Sequence, residues 1–205
     1  MFHPDEGVPA RQAMTQDEVL QEFRDSGALL EGHFQLSSGR HSGHYLQCAR
    51  VLMNPHRGAR LAEGLAEKIP AEIRERLDAV VSPAMGGIII GHEMGRALGL
   101  DAMFLERPDG TFHLRRGFAL EPGAKVLMVE DVVTTGLSSR EAIAAVAREG
   151  GEVLAEVALV DRSNGSVDLG VPFFPLIDID FPTYAEDDVP EDLAAIPISK
   201  PGSRR

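Results

Sequence analysis

The chain has 205 residues, of which 43% are hydrophobic and 25% are charged, and its formal net charge is −12 at pH 7. So acidic a chain is not expected to be a general nucleic-acid binder, because that function needs a basic face. No apolar run approaches the length of a transmembrane helix, and the N-terminus lacks the apolar core of a secretory signal. With Cys48 as its single cysteine, the protein is expected to be cytoplasmic, without an internal disulfide and without a membrane partner.

The first quarter of the chain begins with a capping box. Thr15-Gln16-Asp17-Glu18 predicts the start of a short helix that continues towards Asp25. Two extended segments are predicted at 29–36 and 44–52, on either side of a polar turn. Pro55 then begins a predicted helix that ends near Ile69.

Strands and helices alternate in the remainder of the chain. Strands are predicted at 78–82, 102–106, 125–129, 153–160 and 173–179, helices at 88–98 and 138–149, and a loop or hairpin arm at 111–119. Alternation of this kind implies right-handed βαβ units and a parallel sheet. The apolar runs are continuous, which is typical of strands that are covered on both faces. The predicted fold class is therefore α/β.

The most informative stretch is 126–138, which reads VLMVEDVVTTGLS. Ligands of parallel α/β sheets bind at the carboxyl ends of strands, so Glu130 and Asp131 lie where a ligand would sit. The start of the following helix attracts phosphate through its free N–H groups, and Gly136 allows a close backbone approach. Acids beside such a loop suit a sugar phosphate. Each residue alone would also fit a solvated acid or an ordinary helix cap.

The whole stretch resembles the phosphoribosyl pyrophosphate (PRPP) signature of the type I phosphoribosyltransferases. That resemblance implies a parallel β-sheet core flanked by helices, with a small hood from the N-terminal segment at about 26–54. It also implies that the acids hold the ribose hydroxyls while the loop holds the 5′-phosphate. The PRPP-binding residues would be Glu130, Asp131, Val132, Val133, Thr134, Thr135, Gly136, Leu137 and Ser138, with Met85 and Gly86 at the pyrophosphate.

Three further segments are similar to the orotate phosphoribosyltransferases. They are FQLSSGRHSGHYLQ at 34–47, SPAMGGI at 82–88 and VDRS at 160–163, within a resemblance that covers 17–182. The resemblance implies that Arg162 pairs with the orotate carboxylate, since guanidinium binds carboxylate bidentately. It also implies that Tyr45, Leu46 and Thr134 contact orotate. A surface ion pair for Arg162, and a strand that alternates core and surface at 45–46, are the alternatives.

The interval from 106 to 118 departs from the family pattern. Its relatives have a mobile catalytic loop rich in lysine, whereas this chain offers Arg107, His113, Arg115 and Arg116. Arg107 aligns best with the cation that opens the family's loop and reaches into the partner subunit's site. The other three residues are candidates without an assigned role, and a hairpin with solvated arginines is the alternative. A basic loop would stabilise the charge that builds on the leaving pyrophosphate.

Relatives also often carry lysine at the positions of Ser37 and Gly86. This chain has no cation at either position.

Taken together, the resemblance implies an enzyme that joins orotate to PRPP in pyrimidine biosynthesis. Glu130, Asp131 and Arg107 would be catalytic, Mg²⁺ would be held mainly by the substrate, and the loop would be shared across a homodimer. The alternatives are another purine or pyrimidine phosphoribosyltransferase, or a regulator of the same fold that senses PRPP. The expected organisation is an N-terminal extension at 1–14, for which flexibility is one expectation, then the phosphoribosyltransferase domain at 15–184 and a surface tail at 185–205.

Overall fold

A computed structural model describes residues 14–36 and 38–200 of the chain. The helices are α1 (Gln16–Asp25), α2 (Cys48–Leu52), α3 (Pro55–Lys68), α4 (Ala71–Arg74), α5 (Gly87–Leu98), α6 (Leu137–Arg148) and α7 (Glu191–Ala194), with a 3-10 turn at Glu186–Asp188. Within the described residues, none of the helices combines the length and apolarity needed to cross a membrane. The predictions for 1–13, Ser37 and 201–205 lie outside the described residues.

The core is a six-stranded sheet in the order β5-β4-β3-β6-β7-β8. Every neighbouring pair is parallel except β4 with β5, which is antiparallel. The predicted parallel sheet is therefore confirmed, with β6 near its middle. Its strands are β3 (Ala79–Pro83), β4 (Asp101–Glu106), β5 (His113–Leu114), β6 (Lys125–Val133), β7 (Glu152–Asp161) and β8 (Phe173–Asp178).

Helices cover both faces of this sheet, and alternate residues of β6 show how. Val126 and Met128 belong to the hydrophobic cluster that includes Ala142 and Val146 of α6. Leu127 and Val129, which alternate with these two residues along the strand, belong to the larger cluster on the opposite face. That cluster takes in Val19 and Phe23 of α1, Leu61 and Leu65 of α3, and Ile90 and Met94 of α5. Burial on both faces explains why the strand is continuously apolar.

A second, four-stranded sheet forms the hood, in the order β10-β1-β2-β9. Strands β1 (Leu29–Gln35) and β2 (His41–Leu46) form an antiparallel pair, while β9 (Thr183–Tyr184) and β10 (Ile198–Ser199) come from the C-terminal part of the chain. Strand β10 pairs with β1 in parallel. The described part of the segment predicted as a surface tail thus adds a strand to the hood. Strands of two residues are too short to produce a periodic signal in the sequence.

Two predictions of local structure are corrected here. The second extended segment, predicted at 44–52, is wrong in its bounds, because the strand covers His41–Leu46 and a short helix follows at Cys48–Leu52. A short apolar run cannot be assigned to strand or helix by periodicity alone. Strand β6 also extends beyond the predicted 125–129 to Val133. By contrast, the capping box of α1 is confirmed, with the Thr15 side chain accepting from the Glu18 N–H.

Candidate active site

A cavity of about 270 Å³ lies at the carboxyl end of β6, between that strand and the start of α6. It is lined by Arg107, Glu130 and residues 132–139. A ligand site was predicted at this point, because strand β6 ends in acids and is followed by a loop suited to bind phosphate. The structure therefore brings together most of the residues assigned to PRPP.

The loop that follows β6 has a conformation that favours glycine. Gly136 has a φ of 70°, and a Cβ at this position would lie 2.4 Å from Cγ2 of Val167. Arg140 fixes the loop from the first turn of α6, since its guanidinium donates to the Thr135 carbonyl at 3.0 Å and the Asp168 carbonyl at 3.1 Å. The first N–H groups of α6 have no partner within the helix and are suited to bind an anion.

Glu130 and Asp131 project from opposite faces of the sheet, because successive side chains of a strand alternate. Glu130 lies on the α6 side, is only 6% exposed and lines the cavity. Asp131 lies on the other side, against the backbone that precedes α5. A Cβ at Gly86 would be 2.6 Å from the Asp131 Oδ1 atom, so the carboxylate and this glycine are in direct contact. The segment at 85–86, which was predicted to bind pyrophosphate, thus contacts one of the two acids.

Burial changes the ionisation of Glu130. The pKa of its carboxyl rises to about 8, first because of desolvation and then because of the negative charges of Asp131 and Glu156. A hydrogen bond from Ser138 opposes this rise. The raised pKa favours the protonated form of Glu130 around neutral pH. Perturbation of this kind is common at catalytic carboxyls.

Asp131 is perturbed in the same direction. Burial raises the pKa of its carboxyl, and a hydrogen bond from the Val132 N–H to Oδ1, at 3.0 Å, acts against that rise. The Sγ atom of Cys48 lies 3.9 Å from the Asp131 carbonyl oxygen. Burial, and then Asp131, raise the pKa of the Cys48 thiol well above its ordinary value, so this cysteine stays protonated.

Arg162 directly follows β7 and lies on the same side of the sheet as Asp131 and Cys48. Burial lowers the pKa of its guanidinium, while Cys48, Asp180 and Tyr45 act in the opposite direction. Its Nε atom is buried and has no hydrogen-bond partner among the described residues. A buried donor without a partner costs free energy and is suited to receive an acceptor from a ligand.

The two residues assigned to the pyrimidine ring have different surroundings. Leu46 is 9% exposed and belongs to the hydrophobic core, whereas Tyr45 is half-buried and its hydroxyl donates to Gln47 at 3.1 Å. Phe181 adds an aromatic face that the sequence analysis did not identify. Its ring centroid lies 5.8 Å from the Arg162 guanidinium, and it stacks with His44 at 4.6 Å.

Arg107 is held at the edge of the cavity by two contacts. Its guanidinium forms an ion pair with Glu141 of α6 at 2.6 Å and lies 3.8 Å from the centroid of the Phe112 ring. A cation in this position can reach a negatively charged ligand in the cavity. The structure therefore brings Arg107 to the cavity of its own chain.

The other loop candidates lie apart from the cavity lining. His113 belongs to β5 and is 3.4 Å from Asp109, while Arg115 and Arg116 pair with Glu106 at 3.8 and 2.8 Å. Strand β5 forms a hairpin with β4, which was one of the two predicted forms of this segment. Met85, assigned to pyrophosphate, is 81% exposed.

Glu156 was not predicted as a site residue; it lies in the middle of β7 and is completely buried. The Ser139 hydroxyl donates to its Oε1 at 2.6 Å. Burial raises the pKa of the Glu156 carboxyl to about 7, although the Ser139 hydrogen bond acts against this rise. The available signal was an acid inside the apolar run at 153–160, because a charged residue is almost never fully buried without a partner.

The described residues contain no group of three or more His, Cys, Asp or Glu side chains that could hold a metal ion. The two carboxylates at the end of β6, those of Glu130 and Asp131, point to opposite faces of the sheet.

Comparison with known proteins agrees with this geometry. Residues 51–170 match the model of the phosphoribosyl transferase domain. The chain is 76% identical over 191 residues to the orotate phosphoribosyltransferase of Erythrobacter litoralis, with 93% of this chain and 99% of that protein covered. It is 71% identical to the same enzyme of Novosphingobium aromaticivorans, covering 93% and 98% of the two chains. The crystal structure of orotate phosphoribosyltransferase from Aeropyrum pernix superposes with a TM-score of 0.68 at 27% identity, over 78% of this chain and 93% of that one. This chain belongs to the orotate phosphoribosyltransferase family.

Proposed function

We propose that the protein transfers the phosphoribosyl group of PRPP to orotate, forming orotidine 5′-monophosphate and pyrophosphate. The bond between the anomeric carbon and pyrophosphate breaks, and its electron pair leaves with the pyrophosphate. Orotate N1 loses its proton and forms the new bond to the anomeric carbon with inversion. The enzyme is thus a glycosyltransferase of the pentosyl class that acts in pyrimidine biosynthesis.

One observation supports this proposal most directly, namely the cavity at the end of β6. Its lining combines a buried carboxyl, Glu130, with the loop at 134–138 and the start of α6. A phosphate held by the N–H groups of the loop would bring the ribose hydroxyls to the acids. Positive charge on the sugar in the transition state would be stabilised by an ionised carboxylate, so the proton on Glu130 has to leave.

Orotate would be recognised on the opposite side of β6. Arg162 is half-buried and offers a buried Nε without a partner among the described residues, in the neighbourhood of Tyr45 and Phe181. Orotate differs from uracil by a carboxylate, which a guanidinium binds through two parallel hydrogen bonds. The aromatic rings fit the flat faces of a pyrimidine. This arrangement favours orotate over a base that lacks the acid group.

Pyrophosphate would leave towards Arg107 and the segment at 85–86. Arg107 lines the cavity and supplies a positive charge for the growing charge on the leaving group. Closure of the adjoining loop would exclude water, which otherwise would hydrolyse the activated ribose.

The proposal includes Mg²⁺, a homodimer and a cytoplasmic location. A bound Mg²⁺ would supply charge neutralisation at the pyrophosphate, and, as a hard cation that prefers oxygen ligands, it would be held mainly by PRPP. In the homodimer the basic loop of one chain would also serve the site of its partner. Sedimentation of the purified protein, with and without PRPP, tests the oligomeric state.

The activity is tested by following the loss of the ultraviolet absorbance of orotate in the presence of PRPP and Mg²⁺. We expect loss only when all three components and the protein are present. Uracil and hypoxanthine serve as controls and are assayed for nucleotide product. Turnover of one of these bases without orotate loss would favour another phosphoribosyltransferase, and no turnover would favour a PRPP-sensing regulator.

A further inference from the structure

Glu156 is a buried acid outside the set of residues assigned to the substrates. It is 0% exposed and lies on β7 against α6, where Ser139 donates to its Oε1. The other oxygen, Oε2, is buried and has no hydrogen-bond partner among the described residues. Burial of a carboxyl with one unsatisfied oxygen is costly, and an apolar side chain of similar size would avoid that cost.

The register of the sheet makes Glu156 a diagonal neighbour of the catalytic candidate Glu130. Glu156 pairs with Met128 on β6, and Glu130 is two residues further along that strand. Residues separated by two positions project from the same face, so both carboxyls lie on the α6 side of the sheet. Ser138 bonds to Glu130 and Ser139 bonds to Glu156, so adjacent residues of α6 hold the two acids. Ser139 also lines the cavity.

We propose that Glu156 is a positioning residue that shares one negative charge with Glu130 around neutral pH and so determines when Glu130 is ionised for the reaction. This inference rests on the proposed function, in which an ionised Glu130 stabilises the ribose. Two carboxylates close together in a poorly solvated site cannot both ionise easily. An ionised Glu156 therefore keeps the proton on Glu130.

Other charged and polar groups around Glu130 and Glu156 also affect the ionisation of these two carboxyls. Asp131, on the opposite face of β6, adds a negative charge that favours the protonated form of Glu130. Arg107 lines the same cavity, but its charge is already paired with Glu141. The hydroxyls of Ser138 and Ser139 stabilise the ionised forms of their partner acids. Glu156 is thus the one acid on the α6 side, among the described residues, that the structure couples to Glu130.

The coupling is tested first without turnover. Carbon-13 NMR of glutamate-labelled protein follows the titration of both carboxyls, with Glu130→Gln and Glu156→Gln used to assign the signals. We expect two raised and mutually dependent midpoints in the wild type, and a lower midpoint for Glu130 in Glu156→Gln. The same titration midpoint for Glu130 in the wild type and in Glu156→Gln would overturn the proposal.

The consequence for catalysis is tested by the pH profile of kcat/KM for PRPP, which reports groups of the free enzyme. In Glu156→Gln we expect the midpoint of the acidic limb to fall by about 1 pH unit, because a nearby like charge is removed. Glu149→Gln, which removes an exposed glutamate at the end of α6, is the matched control and should leave the midpoint unchanged. A uniform loss of activity with an unmoved midpoint would reduce Glu156 to a structural role and contradict the inference.

Failure of the inference can be distinguished from failure of the proposed function. If the wild type does not consume orotate, the proposed function fails, and the NMR titration alone decides whether the two acids are coupled. If Glu156→Gln does not fold, Glu156→Met provides a second variant, since the methionine side chain has a similar length and no N–H group that needs a hydrogen-bond acceptor. The same fall in the midpoint is expected for Glu156→Met, and an unchanged midpoint would again count against the proposal.

Discussion

The backbone at Gly86 touches the carboxylate of Asp131, so that a Cβ at this glycine would lie 2.6 Å from Oδ1 and 2.7 Å from Oδ2. The segment before α5 and the acidic end of β6 are therefore packed without space for a side chain. This contact links the segment at 85–86, which we propose to bind pyrophosphate, to one of the two acids. It also makes Gly86 a sensitive position, although it lies before the helix and has an ordinary φ of −60°.

Gly86→Ala should weaken PRPP binding. The added methyl group has to displace Asp131 or the loop, and we expect the KM for PRPP to rise about tenfold, equivalent to about 1.4 kcal/mol. Steady-state kinetics with varied PRPP measure this effect. The matched control is Gly58→Ala in α3, where the nearest atom to a Cβ would be Glu93 Cγ at an ordinary 3.5 Å. Equal kinetics for Gly86→Ala and the wild type would show that the contact is not required.

Gly136→Ala should be destabilising as well as inactive. The position has a φ of 70°, and the Cβ would clash with Val167. We expect the free energy of unfolding to fall by about 2 kcal/mol, because both backbone strain and a steric clash are introduced. Urea unfolding measures the change. Gly123→Ala separates the two causes, since Gly123 has a φ of 81° but no neighbour within 4 Å. A loss as large in Gly123→Ala would exclude the clash as the cause.

Arg162→Ala should weaken orotate binding while leaving PRPP binding nearly unchanged. Loss of a charged hydrogen-bonded pair costs about 2 kcal/mol, so the KM for orotate should rise about 30-fold. Initial rates with each substrate varied in turn measure the two constants. Arg24→Ala removes an exposed arginine of α1 and serves as the control. If both KM values rise equally, Arg162 does not recognise the orotate carboxylate.

The loop arginines should differ in their contribution to the rate. Arg107 lines the cavity, whereas Arg116 forms an ion pair with Glu106. Arg107→Ala is expected to lower kcat about 100-fold, as for the loss of one group that stabilises transition-state charge. Arg116→Ala should change kcat much less. Rapid-mixing measurements of the chemical step test this difference, and equal losses would indicate that the loop rearranges before reaction.

The site was predictable where its signal is local in the chain. The stretch at 126–138 contains the strand, the acids, the loop and the start of the helix in one continuous run, so alternation and helix-start rules could place all of them. Gly136 was identified for the same reason, since a loop that binds phosphate through its backbone needs a residue without a side chain at the point of closest approach.

Relations between distant segments were not predictable in this way. The coupling of Glu130 to Glu156 depends on the register between β6 and β7, which a single sequence does not specify. The hood likewise depends on pairing between β1 and β10, separated by most of the chain. The helix at Cys48–Leu52 was missed because five residues are too few to distinguish helix from strand by spacing.

The buried acids also predict how stability depends on pH. In the folded chain the pKa of Glu130 is about 8 and that of Glu156 is about 7, against an ordinary value of 4.5. At a pH between the unfolded pKa of 4.5 and the folded pKa values, the folded state binds more protons than the unfolded state. The free energy of unfolding therefore falls as the pH rises from about 4.5, and it levels off above the folded pKa values.

Glu156→Gln should remove its part of that dependence, because the amide cannot ionise in either state. The free energy of unfolding of the variant, relative to that of the wild type, should therefore rise by up to about 3 kcal/mol between low pH and a pH above about 7. This is the linkage value for a pKa shift from 4.5 to about 7. Urea unfolding of both proteins across this pH range measures the difference. Glu149→Gln, which removes an exposed carboxyl, is the matched control. Parallel curves for Glu156→Gln and the wild type would show that Glu156 ionises as easily in the folded chain as in the unfolded one, and its burial would then carry no electrostatic cost.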